Sequence, residues 1–121
     1  MPINSKYLFV ASMDVDTDKE ALFNEVALFN EVYDAEHVPN LLKVPGVHAA
    51  ARIESEPFVI SIGGEERRIE RASPRYSAFY EIDGPHVLVS HAWAKAGEAR
   101  RWPSLVRPFT RNRLHALYKI R

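Results

Sequence analysis

Residues 29–47, FNEVYDAEHVPNLLKVPGV, set Tyr33, Asp34 and His37 at helical spacing and then interrupt the chain at Pro39 and again at Pro45-Gly46. Residues three and four apart share a helix face. A phenol therefore falls one turn before the imidazole, with a carboxylate beside it. Pro39 cannot donate to the carbonyl of Ala35, and an interior proline costs about 3 kcal/mol unless the helix bends or stops. The first helix is expected to end near His37, with Pro39 opening a short turn through Asn40-Leu41-Leu42. Pro45-Gly46 then leads into a strand over residues 47–54.

Working toward the N-terminus, Thr17-Asp18-Lys19-Glu20 has the capping-box form, and Leu22, Val26, Phe29, Val32 and Tyr33 make one apolar stripe at spacings of three and four. Inside this helix the hexapeptide ALFNEV occurs twice, at 21–26 and 27–32. Six residues are not a whole number of turns, so the copies point about 240° apart. One copy either lengthens the helix by roughly 9 Å or loops out. Before the helix, residues 6–13 (KYLFVASM) are aromatic and β-branched and read as a buried strand.

Toward the C-terminus, residues 58–62 and 65–72 read as a hairpin turned by Gly63-Gly64, and residues 75–82 as a further strand. Asp83-Gly84-Pro85 has the chemistry of a helix start, with a second helix from about 86 to 96. Residues 114–120 form the last strand. The chain is one domain, 1–121, of α+β class: a ferredoxin-like β-α-β-β-α-β order with an extra hairpin and a four-stranded antiparallel sheet. Helices cover one face of such a sheet, so the other face needs a partner.

Composition narrows the chemistry. The 121 residues carry 46% hydrophobic and 26% charged residues, no cysteine and zero net charge. Disulfide frameworks and zinc–cysteine sites are thereby excluded. No apolar run approaches membrane-spanning length and the N-terminus lacks a signal-peptide pattern, so a cytoplasmic protein is expected. Charge is uneven: eight acids and one base lie between Asp14 and Glu36, and seven bases and no acid follow Glu98. A basic tail can meet nucleic acid or an anion, or simply be a solvated or subunit-facing surface.

His37 is the leading candidate for proton transfer, because an imidazole of ordinary pKa, about 6.5, both gives and takes a proton near neutrality. Tyr33 would steady a developing oxyanion and Asp34 would hold the imidazole in one tautomer. The alternative is that His37 bonds carbonyls freed by Pro39 and Tyr33 is core. A helix C-terminus favours charged His37 and burial opposes it, so the sign of its shift is not legible. His48, His86, His91 and His115 lack the local spacing of a metal site, and no metal or cofactor is expected. His91, three residues after Leu88, can face the sheet and join His37 in one pocket. Phe29, Tyr80, Trp93 and Trp102 are candidate pocket aromatics, though core by default.

RNA-recognition domains share the element order. Leu8-Phe9-Val10-Ala11 partly matches the signature of their first strand, and residues 75–80 (RYSAFY) keep part of that of their third. Zero net charge disfavours nucleic acid.

The segment 29–47 resembles the EthD-like branch of the dimeric α/β-barrel superfamily, through Phe29, Asn30, Tyr33, Asp34, His37, Pro39, Pro45 and Gly46. Tyr80-Glu81-Ile82 and the tail motifs Trp102-Pro103, Arg107-Pro108, Thr110-Arg111-Asn112 and Leu117-Tyr118-Lys119 are similar as well. Val32, where a tryptophan is common, and the duplicated hexapeptide depart from the pattern. The resemblance implies a homodimer paired through the open sheet faces and a mostly apolar pocket for a hydrophobic small molecule. It implies a cofactor-independent enzyme of monooxygenase, cyclase or isomerase type with His37 as general base and Tyr33 as its partner, or else a non-catalytic ligand-binding or accessory protein.

Overall fold

The computed structural model describes residues 6–15, 32–99, 102–103 and 107–121, without the side chains of Tyr33 and Phe109. The capping box, the duplicated hexapeptide up to Glu31, and Phe29 lie outside these residues.

Strand alternation builds the sheet. Strands β1 (Tyr7–Val15), β2 (Val47–Glu54), β5 (Tyr76–Ile82) and β6 (Thr110–Lys119) form one sheet in the order β2-β5-β1-β6, and every neighbouring pair is antiparallel. The class is α+β, and the order is compatible with a ferredoxin-like arrangement. Register puts Phe9 opposite Tyr80, Ala11 opposite Ala78 and Met13 opposite Tyr76. Directly opposed residues share a face, so one face carries Met13, Val15, Tyr76, Ala78, Tyr80 and Ile82, all buried. Val32, Leu41, Val44, Val87 and Trp102 complete that core from the helical side.

Strands β3 (Phe58–Ile62) and β4 (Glu65–Ile69) pair only with each other, as a separate two-stranded hairpin. Its turn has φ of 61° at Gly63 and 84° at Gly64, the left-handed pair that a two-residue hairpin loop demands. β4 stops at Ile69 rather than at the expected residue 72.

Two helical expectations are corrected. The first helix does not end near His37. Residues Tyr33–His37 form a π-type turn that runs directly into helix α1, Val38–Leu42. Pro39 sits within the first two positions of α1. A π-type turn widens the backbone, which relieves the ring-to-carbonyl clash that would otherwise bend or stop the helix. The second helix is likewise not continuous over 86–96. A 3₁₀ segment, Pro85–Val89, is separated by Ser90 from helix α2, His91–Gly97. Ser90 is extended, and its Oγ accepts from the Trp93 N–H at 3.1 Å, an N-cap that restarts the helix.

Gly46 ends the α1–β2 connection with φ of +93°, and a Cβ there would lie 2.6 Å from Val87 Cγ2. Only glycine meets both conditions. Its carbonyl accepts from the Asp83 N–H at 2.9 Å, which ties the start of β2 to the end of β5. The last strand begins at Thr110, four residues earlier than expected, because a bulge lets β6 stay paired with β1 as far as Val15.

Candidate functional site

Between the helix-covered face and α2 lies a cavity of about 210 Å³. Alternation along β1 delivers Phe9, Ala11 and Met13 to it, β5 delivers Tyr80, and β6 delivers Arg113 and His115. Trp93, Ala94 and Gly97 of α2, with Glu98, form the opposite wall; His37, Leu41, Trp102 and Arg107 complete the lining.

The aromatic rings are ordered about Phe9 and Trp93. Trp93 presents its edge to both Phe9 and Tyr80, with centroids 5.6 Å apart in each case. His115 stacks on Phe9, nearly parallel, at 5.9 Å. Such edge-to-face and offset pairs are each worth about 0.5–1.5 kcal/mol beyond area burial.

His37 is 9% exposed and its ring lies 3.9 Å from that of Trp102, at 8° to parallel. Burial pushes the imidazole down from its ordinary value to about 4; the Arg107 guanidinium adds to the shift and the Glu98 carboxylate opposes it. The sign that could not be read from the sequence is thus set by desolvation. Because α1 continues the helix beyond His37, the imidazole does not sit at a helix C-terminus and gains no stabilisation of its cation from that end. At pH 7 it is neutral, able to accept a proton or to donate a hydrogen bond.

Arg107 is held in place by two contacts. Its Nη1 donates to Glu98 Oε2 at 2.8 Å and its Nη2 to the carbonyl of Gly97 at 3.0 Å. The guanidinium holds the Glu98 carboxyl below its ordinary value. This pair fastens the end of α2 to the start of β6 across one side of the cavity.

The expected site residues separate into groups. His37, Tyr80 and Trp93 line one cavity. Asp34 does not join them: it is exposed and accepts from Arg52 Nη1 of β2 at 3.2 Å. A π-type turn holds more residues per turn than an α-helix, so residues three apart diverge around its axis. His91 is exposed at the first position of α2 and is not part of the cavity wall. The Tyr33 side chain and Phe29 fall outside what is described. Glu98, Arg107, Arg113 and His115 were missed as site residues. No local spacing joins them to His37; the return of β6 beside β1 brings Arg113 and His115, and the end of α2 brings Glu98 with its partner Arg107.

His48 pairs with Asp83 where β2 is bulged, and among the described residues no three His, Cys, Asp or Glu side chains converge as a metal site would require. Nor, among them, is any helix long and apolar enough to cross a membrane. In comparisons with known proteins, no family model, no curated protein and no solved structure matches the chain.

Proposed function

We propose that this chain is a member of the EthD-like branch of dimeric α/β-barrel proteins, and that its cavity receives a small hydrophobic aromatic or ketonic molecule on which His37 acts as proton acceptor. The observation that carries the reading is a neutral, buried imidazole on the wall of an otherwise mostly aromatic and aliphatic cavity. Such a base needs no prior deprotonation at neutral pH. The reaction would be a cofactor-independent oxygenation, cyclisation or isomerisation that begins with removal of an acidic C–H or O–H proton, with Tyr33 steadying the anion.

The same observation favours a second reading. A conjugate acid of pKa about 4 lies well below the range in which general bases work best at neutral pH, and Asp34 is engaged with Arg52 rather than with the imidazole. Both suit a protein that holds or delivers its ligand without turning it over. The two readings part on one comparison. As an enzyme, the chain loses turnover of an identified substrate on His37→Ala and on Tyr33→Phe while still binding it. Turnover that survives both substitutions defeats the catalytic reading; saturable binding without turnover by the wild type establishes the second.

A homodimer is part of the proposal. Leu8, Val10, Phe79, Ile53, Leu114 and Tyr118 lie on the sheet face away from the helices. Ile53 is 50% exposed, and Leu114 and Tyr118 are each 56% exposed. A contiguous apolar face of this kind calls for a cover. The two serine hydroxyls on it, Ser12 and Ser77, bond each other at 2.7 Å, so neither would be stranded if a second sheet closed over them. A monomer at micromolar concentration in light scattering would refute this part. A 260/280 absorbance ratio above the protein-only value would revive the nucleic-acid reading.

A further inference from the structure

Charge within the cavity is balanced on one side and unbalanced on the other. Arg107 is matched by Glu98, and His37 is neutral. Arg113, two residues before His115 on the same strand, also lines the cavity. Among the described residues it makes no ion pair.

Its position is built rather than incidental. Between Ser12 and Asp14 the β1–β6 register shifts, so that Asn112 and Arg113 together oppose Met13. Asn112 takes the left-handed conformation, φ of 53°, that such a bulge requires. Its Nδ2 donates to Asp14 Oδ2 at 3.0 Å, which pins the bulge. Asp14 is the carboxylate nearest in register, and it is committed elsewhere: it accepts the Arg75 N–H at 2.7 Å and the Ser73 hydroxyl as well. Burial works against its ionisation, but these hydrogen bonds and the charge of Arg111 hold its carboxyl below the ordinary value. The bulge thus presents a guanidinium to the cavity, while Asp14 is committed to other partners.

We infer that the cavity selects a single-ring monoanion, an aromatic or cyclic carboxylate whose ring lies among Phe9, Tyr80 and Trp93 and whose carboxylate is bound by Arg113. The planar guanidinium fork matches a carboxylate in two parallel hydrogen bonds. The size fits: an apolar cavity of about 150 Å³ already holds benzene, and this one is about 210 Å³. The inference rests on the small-molecule reading of the cavity and narrows it to a substrate class. An anion bound in the cavity would also favour protonated His37, bringing its pKa toward the range of a working base.

Titration calorimetry with benzoate and its neutral isostere benzamide tests this on the wild type, Arg113→Gln and Arg113→Lys. Arg113 is exposed, so neither substitution threatens the core. Wild type is expected to prefer benzoate by about tenfold, the size of one charge-assisted hydrogen-bonded pair. Arg113→Gln should abolish the preference while benzamide affinity stays within about twofold, and Arg113→Lys should keep part of it. Equal affinity for the two ligands in the wild type, or a preference that survives Arg113→Gln, overturns the anion inference and leaves the small-molecule cavity standing. If neither ligand binds up to its solubility limit or shifts the His115 and Trp93 NMR signals, both the inference and the cavity reading fall.

Discussion

The two faces of the sheet are drawn from the same strands and meet different fates. Along β1, Phe9, Ala11 and Met13 face the helices, whereas Leu8, Val10 and Ser12 face away. On the helical side the chain covers its own apolar residues and leaves a cavity beside a buried histidine. On the other side it leaves Leu114 and Tyr118 more than half exposed. The difference shows that strand alternation alone supplies two apolar surfaces, and that the helices decide which becomes a core. The uncovered face is the one we propose a second copy closes.

Substitution on each face should separate core from interface. Ile82→Ala, fully buried on the helical face, is expected to cost about 2–5 kcal/mol in urea unfolding. Ile53→Ala, on the open face, should cost less than about 1 kcal/mol at concentrations low enough to dissociate a dimer. Similar losses at both positions would erase the distinction.

The buried histidine gives the helical face a pH effect of its own. The folded state resists protonating His37 until about pH 4, whereas the unfolded chain protonates it near pH 6.5. Between these values the unfolded state binds the extra proton, so stability falls as the solution is acidified. The loss is on the order of 3 kcal/mol from pH 7 to below pH 4. The His37→Gln variant should show a correspondingly flatter profile over that window; an unchanged profile would remove the burial account.

Two smaller effects probe the open face. Phe79→Lys, opposite Val10 at the centre of that face, should weaken the proposed dimer by at least about tenfold through an uncompensated buried charge. The melting midpoint should move less than in Ile82→Ala. An unaltered dimer would direct the search to the exposed Phe58, Ile60 and Ile62 of the hairpin. Ser12→Ala leaves the Ser77 hydroxyl without its partner on that face and should cost the dimer about 1 kcal/mol, measured as the shift in its dissociation constant.

Much of the scaffold could be read before any coordinates, because its signals are local. Alternation and turn chemistry placed β2 at Val47–Glu54 and β3 at Phe58–Ile62 without error, and Gly63-Gly64 as the turn after it. Helix detail was less legible. Pro39 signalled an interruption, but whether the chain ends, bends or widens there depends on what packs around it; here it widens. The break at Ser90 was hidden by residues compatible with one continuous helix. Of the candidate residues that local pattern and resemblance offer, His37, Tyr80 and Trp93 line the cavity. The Trp102 stack, the Arg107–Glu98 pair and Arg113 arise from the return of β6 beside β1. Asp34 shows the limit of spacing arguments: three residues apart means proximity only if the turn is α-helical.

The most direct measurement is an NMR titration of the His37 imidazole in the free protein. A neutral ring at pH 7 with a midpoint near 4 is the expected result. A His37 midpoint at or above the ordinary imidazole value of about 6.5 would contradict the buried, neutral base on which the proposed site depends.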